Sequence, residues 1–560
     1  MSLRILLAVL LLMAPLAFPA GPPSLQDPNL EAALERIRAE RIAAHIRFLA
    51  DDLLEGRGTG SRGYDIAAKY VATQFEALGL EPAGTAGYLQ PVPFRKSVPV
   101  AERSRLVLMR NGTEQELEYG PDFIARGMAL FEETSVSAPV VFAGFGVTAT
   151  DLNYDDYASI DAAGKIVAML RGGPPSFPSS ERAHFSSTDV KLANAVAHGA
   201  AGVIMLWTPG YESRLPWSKV RRLAGRGDMS WVDQEGRPFG AHPELRGLAT
   251  MGLAGAEKLF AGAPRTLEQV FGAEKGEPSV SFGLPVRASL ELASEHSQVE
   301  SPNVIAMLPG SDPELRGEVV VYSAHLDHEG IGEPDPSGDA IYNGAYDNAS
   351  GVAAILEIAR AFSGLRPAPR RSILFVATAA EEEGLLGAEY FAHHPTVARA
   401  AIVANINCDG NLMLYAPRDV IAYGAEHSSL GAAVERAAAR LNLTVTPDPF
   451  PEQTLFIRSD QYPFIKQGIP AVFIVAGPHS ADPKIDGGAA LGEWIQSIYH
   501  TPKDDVSQPM RWETGVLYAQ VNFLVGYQVA MDAERPSWHP HSFFARNFGD
   551  SLLNPGFGDR

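Results

Sequence analysis

The chain has 560 residues, of which 46% are hydrophobic and 20% are charged. This composition is typical of a folded protein and excludes a chain that is mostly disordered. Lys and Arg number 46 against 66 Asp and Glu, so the formal net charge is −20. Such a charge argues against nucleic acid as a partner, because phosphate backbones attract basic surfaces. The only cysteine, Cys408, excludes an intramolecular disulfide and a cysteine-based zinc site, so any metal has to be bound by His, Asp and Glu.

Residues 1–20 have the pattern of a secretory signal peptide. Arg4 precedes an apolar run over residues 5–16, which is too short for a comfortable membrane span. We therefore predict an exported protein, periplasmic or secreted, with no membrane contact. An uncleaved N-terminal anchor is the alternative. The sequence makes no prediction of an oligomeric state.

Residues 30–80 have helical spacing of apolar residues, interrupted by a polar, glycine-rich stretch at 55–63. The pattern changes between about 135 and 280. Apolar runs at 138–144, 164–172 and 202–206 predict strands, and residues 191–198 predict a helix between the last two.

From about residue 300 to 530, strand signals alternate with amphipathic helices. This alternation predicts an α/β fold with a mostly parallel mixed sheet and helices on both faces. The strand signals are at 303–308, 318–323, 372–377, 402–406 and 471–475, and the clearest helices are at 351–362 and 429–441.

Five residues with metal-binding side chains stand just past these strands or in the loops between elements. In open α/β sheets, ligands bind beyond the carboxyl ends of the strands, so we expect these side chains to meet at one rim. Carboxylates held together there would repel one another, and a divalent cation removes that repulsion. The five residues are His325, Asp347, Glu382, Asp409 and His500.

Two imidazoles and three carboxylates form a nitrogen and oxygen site suited to zinc, and one carboxylate can bridge two ions. Two such ions polarise a carbonyl group and activate a water molecule. Glu381, beside Glu382, is placed to act as the general base. Each residue also has a simpler explanation, since Asp347 could cap a helix and the glutamate run could be a solvated surface. Their joint occurrence at strand ends favours the metal site.

The segments that carry these residues resemble the M28 family of zinc metallopeptidases. The motifs are AHLDHEG, YDNASGVAAILEIAR, ATAAEEEGLLGAEYF, NCDGN and YHTPKDD. The N-terminal HIRFLADDLLEGRGTG resembles bacterial members that contain an inserted protease-associated (PA) domain. GKIVAMLRG followed by KLANAVAHGAAGVIML is similar to such a PA domain, α/β or β-rich in structure.

The resemblance implies the zinc exopeptidase fold and a role for each site residue. His325 and Asp409 would bind one zinc, Glu382 and His500 the other, and Asp347 would bridge the two. Glu381 would be the general base. Asp327 would orient His325 through its ring N–H, and Asp504 would support His500.

The resemblance also divides the chain. It implies a signal peptide at 1–20, an N-terminal part of the peptidase domain at 30–130, a PA-like insert at 131–285, the main catalytic domain at 286–535 and a C-terminal tail at 536–560.

We expect an exported aminopeptidase with two zinc ions that acts on peptides. The sequence does not exclude other divalent metals in place of zinc. The alternatives are a carboxypeptidase, for which Arg418 or Arg458 could bind the terminal carboxylate, a single-zinc glutaminyl cyclase, and a hydrolase acting on other substrates. A binding protein of the same fold, without a working metal site, is a further alternative.

Overall fold

The structure is a computed structural model that describes residues 23–549, so the predicted signal peptide lies outside the described residues. This part of the chain forms 16 α-helices and 21 β-strands. None of these helices combines the length and apolar character needed to cross a bilayer. The helices are α1 (Pro28–Leu34), α2 (Ala39–Leu49), α3 (Arg62–Ala77), α4 (Ser179–Ser186), α5 (Thr188–Ala197), α6 (Pro209–Arg214), α7 (Trp217–Ala224), α8 (Leu253–Leu259), α9 (Leu267–Phe271), α10 (Ser350–Ser363), α11 (Leu386–His393), α12 (Leu430–Arg440), α13 (Gln461–Lys466), α14 (Gly487–Ser497), α15 (Trp512–Met531) and α16 (Phe543–Phe548).

The strands form two main sheets and two small hairpins. They are β1 (Glu81–Pro82), β2 (Leu89–Pro99), β3 (Arg105–Arg110), β4 (Thr113–Glu116), β5 (Phe123–Ala125), β6 (Glu133–Ala143), β7 (Thr148–Ala149), β8 (Tyr154–Asp155), β9 (Ile166–Leu170), β10 (Gly202–Leu206), β11 (Asp228–Trp231), β12 (Leu248–Met251), β13 (Ser281–Leu308), β14 (Val319–His325), β15 (Gly330–Ile331), β16 (Ile341–Tyr342), β17 (Ser372–Thr378), β18 (Ile402–Asn407), β19 (Asp419–Tyr423), β20 (Thr444–Val445) and β21 (Ala471–Ala476).

The first sheet carries the predicted site. Its centre has the order β17-β14-β18-β21, and these four strands are parallel. β13 pairs antiparallel with β17 on one side, and β19 pairs antiparallel with β21 on the other. β2 and β11 extend the sheet beyond β13, and β20 lies beyond β19. The predicted mixed α/β fold with a parallel centre is confirmed.

The central strands are buried along their whole length because helices cover both faces. β14, β17 and β18 contain no exposed residue. Alternate residues of β14, Val320 and Tyr322, pack in the cluster formed with α2, α3, α10 and α15, while Val319 and Val321 pack in the cluster that includes α11 and α13. Strands buried on both faces have continuous apolar sequences, which is why the sequence signal was strong.

The second sheet has the order β4-β3-β13-β6-β9-β10-β12-β5. The strand β13 belongs to both sheets. Its residues 281–293 pair with β6, and its residues 294–304 pair with β2. The second sheet therefore starts with β3, which precedes residue 131, and it ends inside β13. Pairing between strands that are distant in the chain sets the limits of this sheet, and local sequence patterns do not report them. The domain bounds at residues 131 and 285 stay a prediction.

The C-terminal residues up to 549 pack on the body of the protein. Trp538 Nε1 donates a hydrogen bond of 2.8 Å to the Gly468 carbonyl oxygen. Phe543 and Phe544 of α16 are buried, and their rings contact His184 of α4. This C-terminal segment therefore joins α4, which lies beside the second sheet, to the loop after α13, which lies beside the first sheet.

Candidate metal centre

Three neighbouring parallel strands deliver predicted ligands to the same edge of the first sheet. His325 is the last residue of β14. Glu381 and Glu382 follow β17, and Asp409 follows β18. Because β14 pairs with both β17 and β18, the ends of the three strands are adjacent. Asp347 lies in the turn before α10, and His500 follows α14.

His325 forms one half of the centre. Its Nε2 atom lies 3.1 Å from Asp347 Oδ1 and 3.3 Å from Asp409 Oδ1. All three side chains are almost fully buried. Burial alone would lower the pKa of His325, but the charges of Glu381 and Asp409 outweigh it and hold the pKa well above its usual value. The three ligand atoms lie within 4.8 Å of one another and could hold one cation.

His500 forms the other half. Its Nε2 atom lies 3.2 Å from Asp347 Oδ2 and 3.1 Å from Glu382 Oε2. The two oxygens of Asp347 therefore face two different imidazoles. Burial alone would raise the pKa of Asp347, but the close contacts with the His325 and His500 rings hold the pKa well below its usual value.

The donor set fits a pair of divalent cations. His500 Nε2 is buried and makes no hydrogen bond of acceptable geometry within residues 23–549, although two carboxylate oxygens lie close to it. A cation between these atoms would satisfy both the nitrogen lone pair and the oxygens. Imidazole nitrogen and carboxylate oxygen are the ligands that zinc takes when no thiolate is present.

Glu381 is buried beside this group. Burial is the largest cause that raises the pKa of Glu381 well above its usual value, and the charges of Glu382 and Asp409 add to the effect while His325 opposes it. By contrast, the charge of His500 outweighs burial at Glu382 and lowers the pKa of that side chain. The pKa values of these two consecutive glutamates are thus shifted in opposite directions. This is the pattern expected when Glu382 holds a cation and Glu381 accepts a proton.

The contact of Asp327 differs from the expected one. His325 Nδ1 lies 3.2 Å from the backbone carbonyl oxygen of Asp327, not from its carboxylate. The carboxylate of Asp327 instead accepts hydrogen bonds from the backbone N–H groups of Glu381 at 3.1 Å and Glu382 at 3.2 Å. Asp327 therefore orients the turn that carries both glutamates.

Asp504 also has a different partner from the expected one. Its carboxylate accepts hydrogen bonds from the backbone N–H groups of Tyr346 at 2.9 Å and Asp347 at 3.1 Å, so it supports the residue between the two imidazoles. The carboxylate next to His500 is that of Glu329, whose Oε1 lies 3.0 Å from His500 Nδ1. His500 and Glu329 are 171 residues apart in the chain, so only folding brings them together and no local pattern indicated this pair.

Sequence reasoning also missed His328 and Arg57. His328 is buried, and its Nδ1 lies 2.7 Å from Glu382 Oε1. With Asp347 and Glu382 it forms a further group that could hold a metal ion. Its position in AHLDHEG, directly after β14, is a signal that could have found it. Arg57 is buried and donates to four backbone carbonyl oxygens, among them that of Leu326 at 2.9 Å.

The fold and the site together define a class of protein: an α/β domain with two clusters of candidate metal ligands at the carboxyl edge of its parallel strands. Residues 303–523 match the sequence profile of Peptidase family M28. The predicted resemblance to this family is confirmed over these residues, and a peptidase is the enzyme class that the match supports.

Relatives with curated names match shorter segments. A probable zinc metalloprotease of Pyrenophora teres f. teres (strain 0-1) is 40% identical over 111 residues, which is 20% of this chain and 23% of that protein. Leupeptin-inactivating enzyme 1 of Streptomyces exfoliatus is 27% identical over 209 residues, 37% of this chain and 43% of that protein. The chain thus spans about a quarter of the length of the first of these relatives.

Among solved structures, the chain is similar to the aminopeptidase from Aneurinibacillus sp. strain AM-1. The TM-score is 0.52, the sequence identity is 22%, and the match covers 91% of this chain and 98% of that one. At this identity the likeness concerns the fold, and it extends over both sheets.

Proposed function

We propose that the chain is an exported aminopeptidase that uses two zinc ions and removes N-terminal residues from peptides. One observation carries the proposal. Asp347 presents one oxygen at 3.1 Å to His325 and the other at 3.2 Å to His500, so its carboxylate could bridge two cations, one beside each imidazole. His325 and Asp409 would complete one zinc site, and Glu382 and His500 the other. The relatives' names give zinc as the metal.

The chain's own residues would act as follows. Zinc, when bound, polarises a carbonyl group and lowers the pKa of water. Glu381 accepts the proton of the attacking water and passes it to the leaving amine, and its raised pKa suits both transfers. Asp327 holds the backbone of Glu381 in place, and Asp504 does the same for Asp347.

The excess of carboxylates around the centre favours a substrate with an N-terminal ammonium group, and the similar solved structure is named an aminopeptidase. A carboxypeptidase is the second candidate because of Arg458. The charge of Tyr499 is the largest cause that raises the pKa of Arg458, and burial opposes it. Glu381 and Asp347 also raise this pKa, so the guanidinium interacts electrostatically with residues of the centre. Arg418, the other candidate, is exposed, and no hydrogen bond or ion pair joins its side chain to the centre within residues 23–549.

The direct test compares peptides blocked at one end or the other, before and after chelation. We expect two zinc ions per chain, hydrolysis only of peptides with a free N-terminus, and loss of activity on chelation that zinc restores. Hydrolysis that requires a free C-terminus would support the carboxypeptidase instead. A protein that binds no zinc would exclude the catalytic proposal and favour a binding protein.

Glu381→Gln removes the proposed base and leaves the ligands in place. We expect kcat to fall by about 10²–10⁴-fold with zinc content unchanged, because proton transfer is lost while binding is retained. Glu383→Gln is the matched control, since no hydrogen bond or ion pair joins the side chain of this neighbouring glutamate to the ligands in the described part of the chain. Near-normal turnover in the Glu381 variant would exclude the assignment.

Asp347→Asn tests the bridge. Loss of one charge between the two imidazoles should weaken both zinc sites, whereas Asp409→Asn should weaken only the site of His325. Zinc titration against a chromogenic chelator measures this difference. Equal effects of the two variants on a single site would contradict a bridging role for Asp347.

Two further parts of the proposal come from the sequence. The pattern at residues 1–20 supports export. The strands and helices from β6 to the first part of β13, together with the motifs at 164–172 and 191–206, support a PA-like insert beside the peptidase domain, which comprises the segments proposed at 30–130 and 286–535.

A further inference from the structure

The insert contacts the loop after β14 through two arginines. Arg222 of α7 forms an ion pair of 2.9 Å with Glu333, and both side chains are well exposed. Arg226, two residues past the end of α7, forms an ion pair with Glu329. Glu329 differs from Glu333 because its side chain is only 11% exposed and contacts the candidate metal centre.

The two oxygens of Glu329 have different neighbours. Oε1 lies 3.0 Å from His500 Nδ1, and Oε2 contacts the guanidinium of Arg226. The other ring nitrogen of His500, Nε2, faces Asp347 and Glu382. A histidine that binds a metal usually donates its second ring N–H to a carboxylate, which sets the tautomer and the direction of the ring. Glu329 occupies that position here.

The positive charge of Arg226 holds the Glu329 carboxylate beside His500. Glu329 lies close to Glu382 and His500, in a region already rich in carboxylates, and those negative charges would favour its rotation towards solvent. The guanidinium of Arg226 opposes this, and it is itself held over the ring of Tyr342 at 5.9 Å. His500 has a backbone φ of +53°, in the left-handed region, so no regular helix or strand fixes the direction of its side chain.

We propose that Arg226 is a positioning residue for His500 and acts through Glu329, so that the insert completes one of the two metal sites. The inference rests on the proposed zinc-dependent function. It concerns only the site of Glu382 and His500, since the site of His325 and Asp409 has no contact of this kind with the insert among residues 23–549.

The test measures zinc affinity in the full chain by competition with a chromogenic chelator, which requires no catalytic activity. We expect Arg226→Ala and Glu329→Gln to weaken one of the two sites by about 10–100-fold, as is typical when the partner of a metal-bound histidine is removed. The second site should keep its affinity. Arg226→Lys keeps the positive charge and should recover most of the affinity.

Arg222→Ala is the matched control, because it removes a neighbouring ion pair to the same loop without touching a carboxylate that contacts His500. It should change neither site by more than about two-fold. If Arg226→Ala and Arg226→Lys both bind two zinc ions with the same affinities as Arg222→Ala, the inference is overturned while the proposed function stands. A wild-type chain that binds no zinc overturns both. Unequal loss confined to one site supports the inference.

Discussion

Lys191 of α5 is a buried cation with no carboxylate in ion-pair contact within residues 23–549. Its Nζ atom donates to the carbonyl oxygens of Phe145 at 2.6 Å and Leu170 at 2.8 Å. Burial lowers the pKa of Lys191 to about 7, while Asp156 opposes this shift and Arg171 adds to it. A lysine in the unfolded chain has a much higher pKa, so this residue makes folding depend on pH.

The sign of that dependence follows from the lowered pKa in the folded state. Between about pH 7 and the ordinary lysine pKa, the unfolded chain binds the proton and the folded chain does not, so stability rises with pH and is lost as pH falls through about 7. The free energy of unfolding, compared with that of Lys191→Met, should therefore rise by up to about 1.4 kcal/mol per pH unit above pH 7. Urea unfolding of both proteins from pH 6 to 10 measures this. If the free energies of unfolding of the two proteins changed with pH in parallel, the lowered pKa of Lys191 would be contradicted.

At the scale of elements, the site depends on loops that the N-terminal segment holds together. Arg57 is the last residue of the short helical turn after α2, and it donates to the carbonyl oxygens of Leu49, Leu326, Asn343 and Gly344. It thereby joins the loop after β14 to the turn that carries the bridging aspartate. Gly344 allows a close approach there, since its φ is +59° and a Cβ would lie 2.1 Å from the carbonyl oxygen of Asp347.

Arg57→Met should lower the free energy of unfolding by at least about 3 kcal/mol, because several buried carbonyl oxygens would lose their donor at once. Arg62→Met, at an exposed position at the start of α3, should change it by no more than about 0.5 kcal/mol. Denaturant unfolding of the two variants provides the comparison. Equal stabilities would show that water replaces the guanidinium without cost.

At the scale of the whole molecule, the proposed insert contacts the rest of the chain at two sides. The ion pairs of α7 lie on one side. On the other, His184 of α4 lies 2.7 Å from the Tyr462 hydroxyl, and Ser180 donates to Glu426 at 2.6 Å. The aromatic rings of α16 cover this second contact, and Phe544 is fully buried among them. The tail therefore stabilises the position of the insert.

Phe544→Ala should destabilise the protein by about 3–5 kcal/mol, as is usual for truncation of a buried aromatic residue. It should also increase hydrogen exchange in α4, since the cover of His184 is lost. Asn547→Ala, on the exposed side of α16, is the control and should affect neither quantity. Unchanged exchange in α4 would show that the tail does not hold the insert.

Local sequence patterns predicted the central strands, the helices between them and the residues at the strand ends. Continuous apolar runs identify strands buried on both faces, and the ends of parallel strands meet at one edge. The structure brings His325, Asp347, Glu382, Asp409 and His500 together, as that reasoning expected.

By itself, the sequence determined the fold class, the family and the residues that gather at the centre, because each depends on short motifs and on periodicity within single elements. Only the tertiary structure decided which groups support those residues. Glu329 and not Asp504 contacts His500, Arg57 reaches Leu326 across 269 residues, and one strand, β13, serves both sheets. Such contacts join residues distant in the chain, and their partners are selected by burial and packing, which no local pattern records.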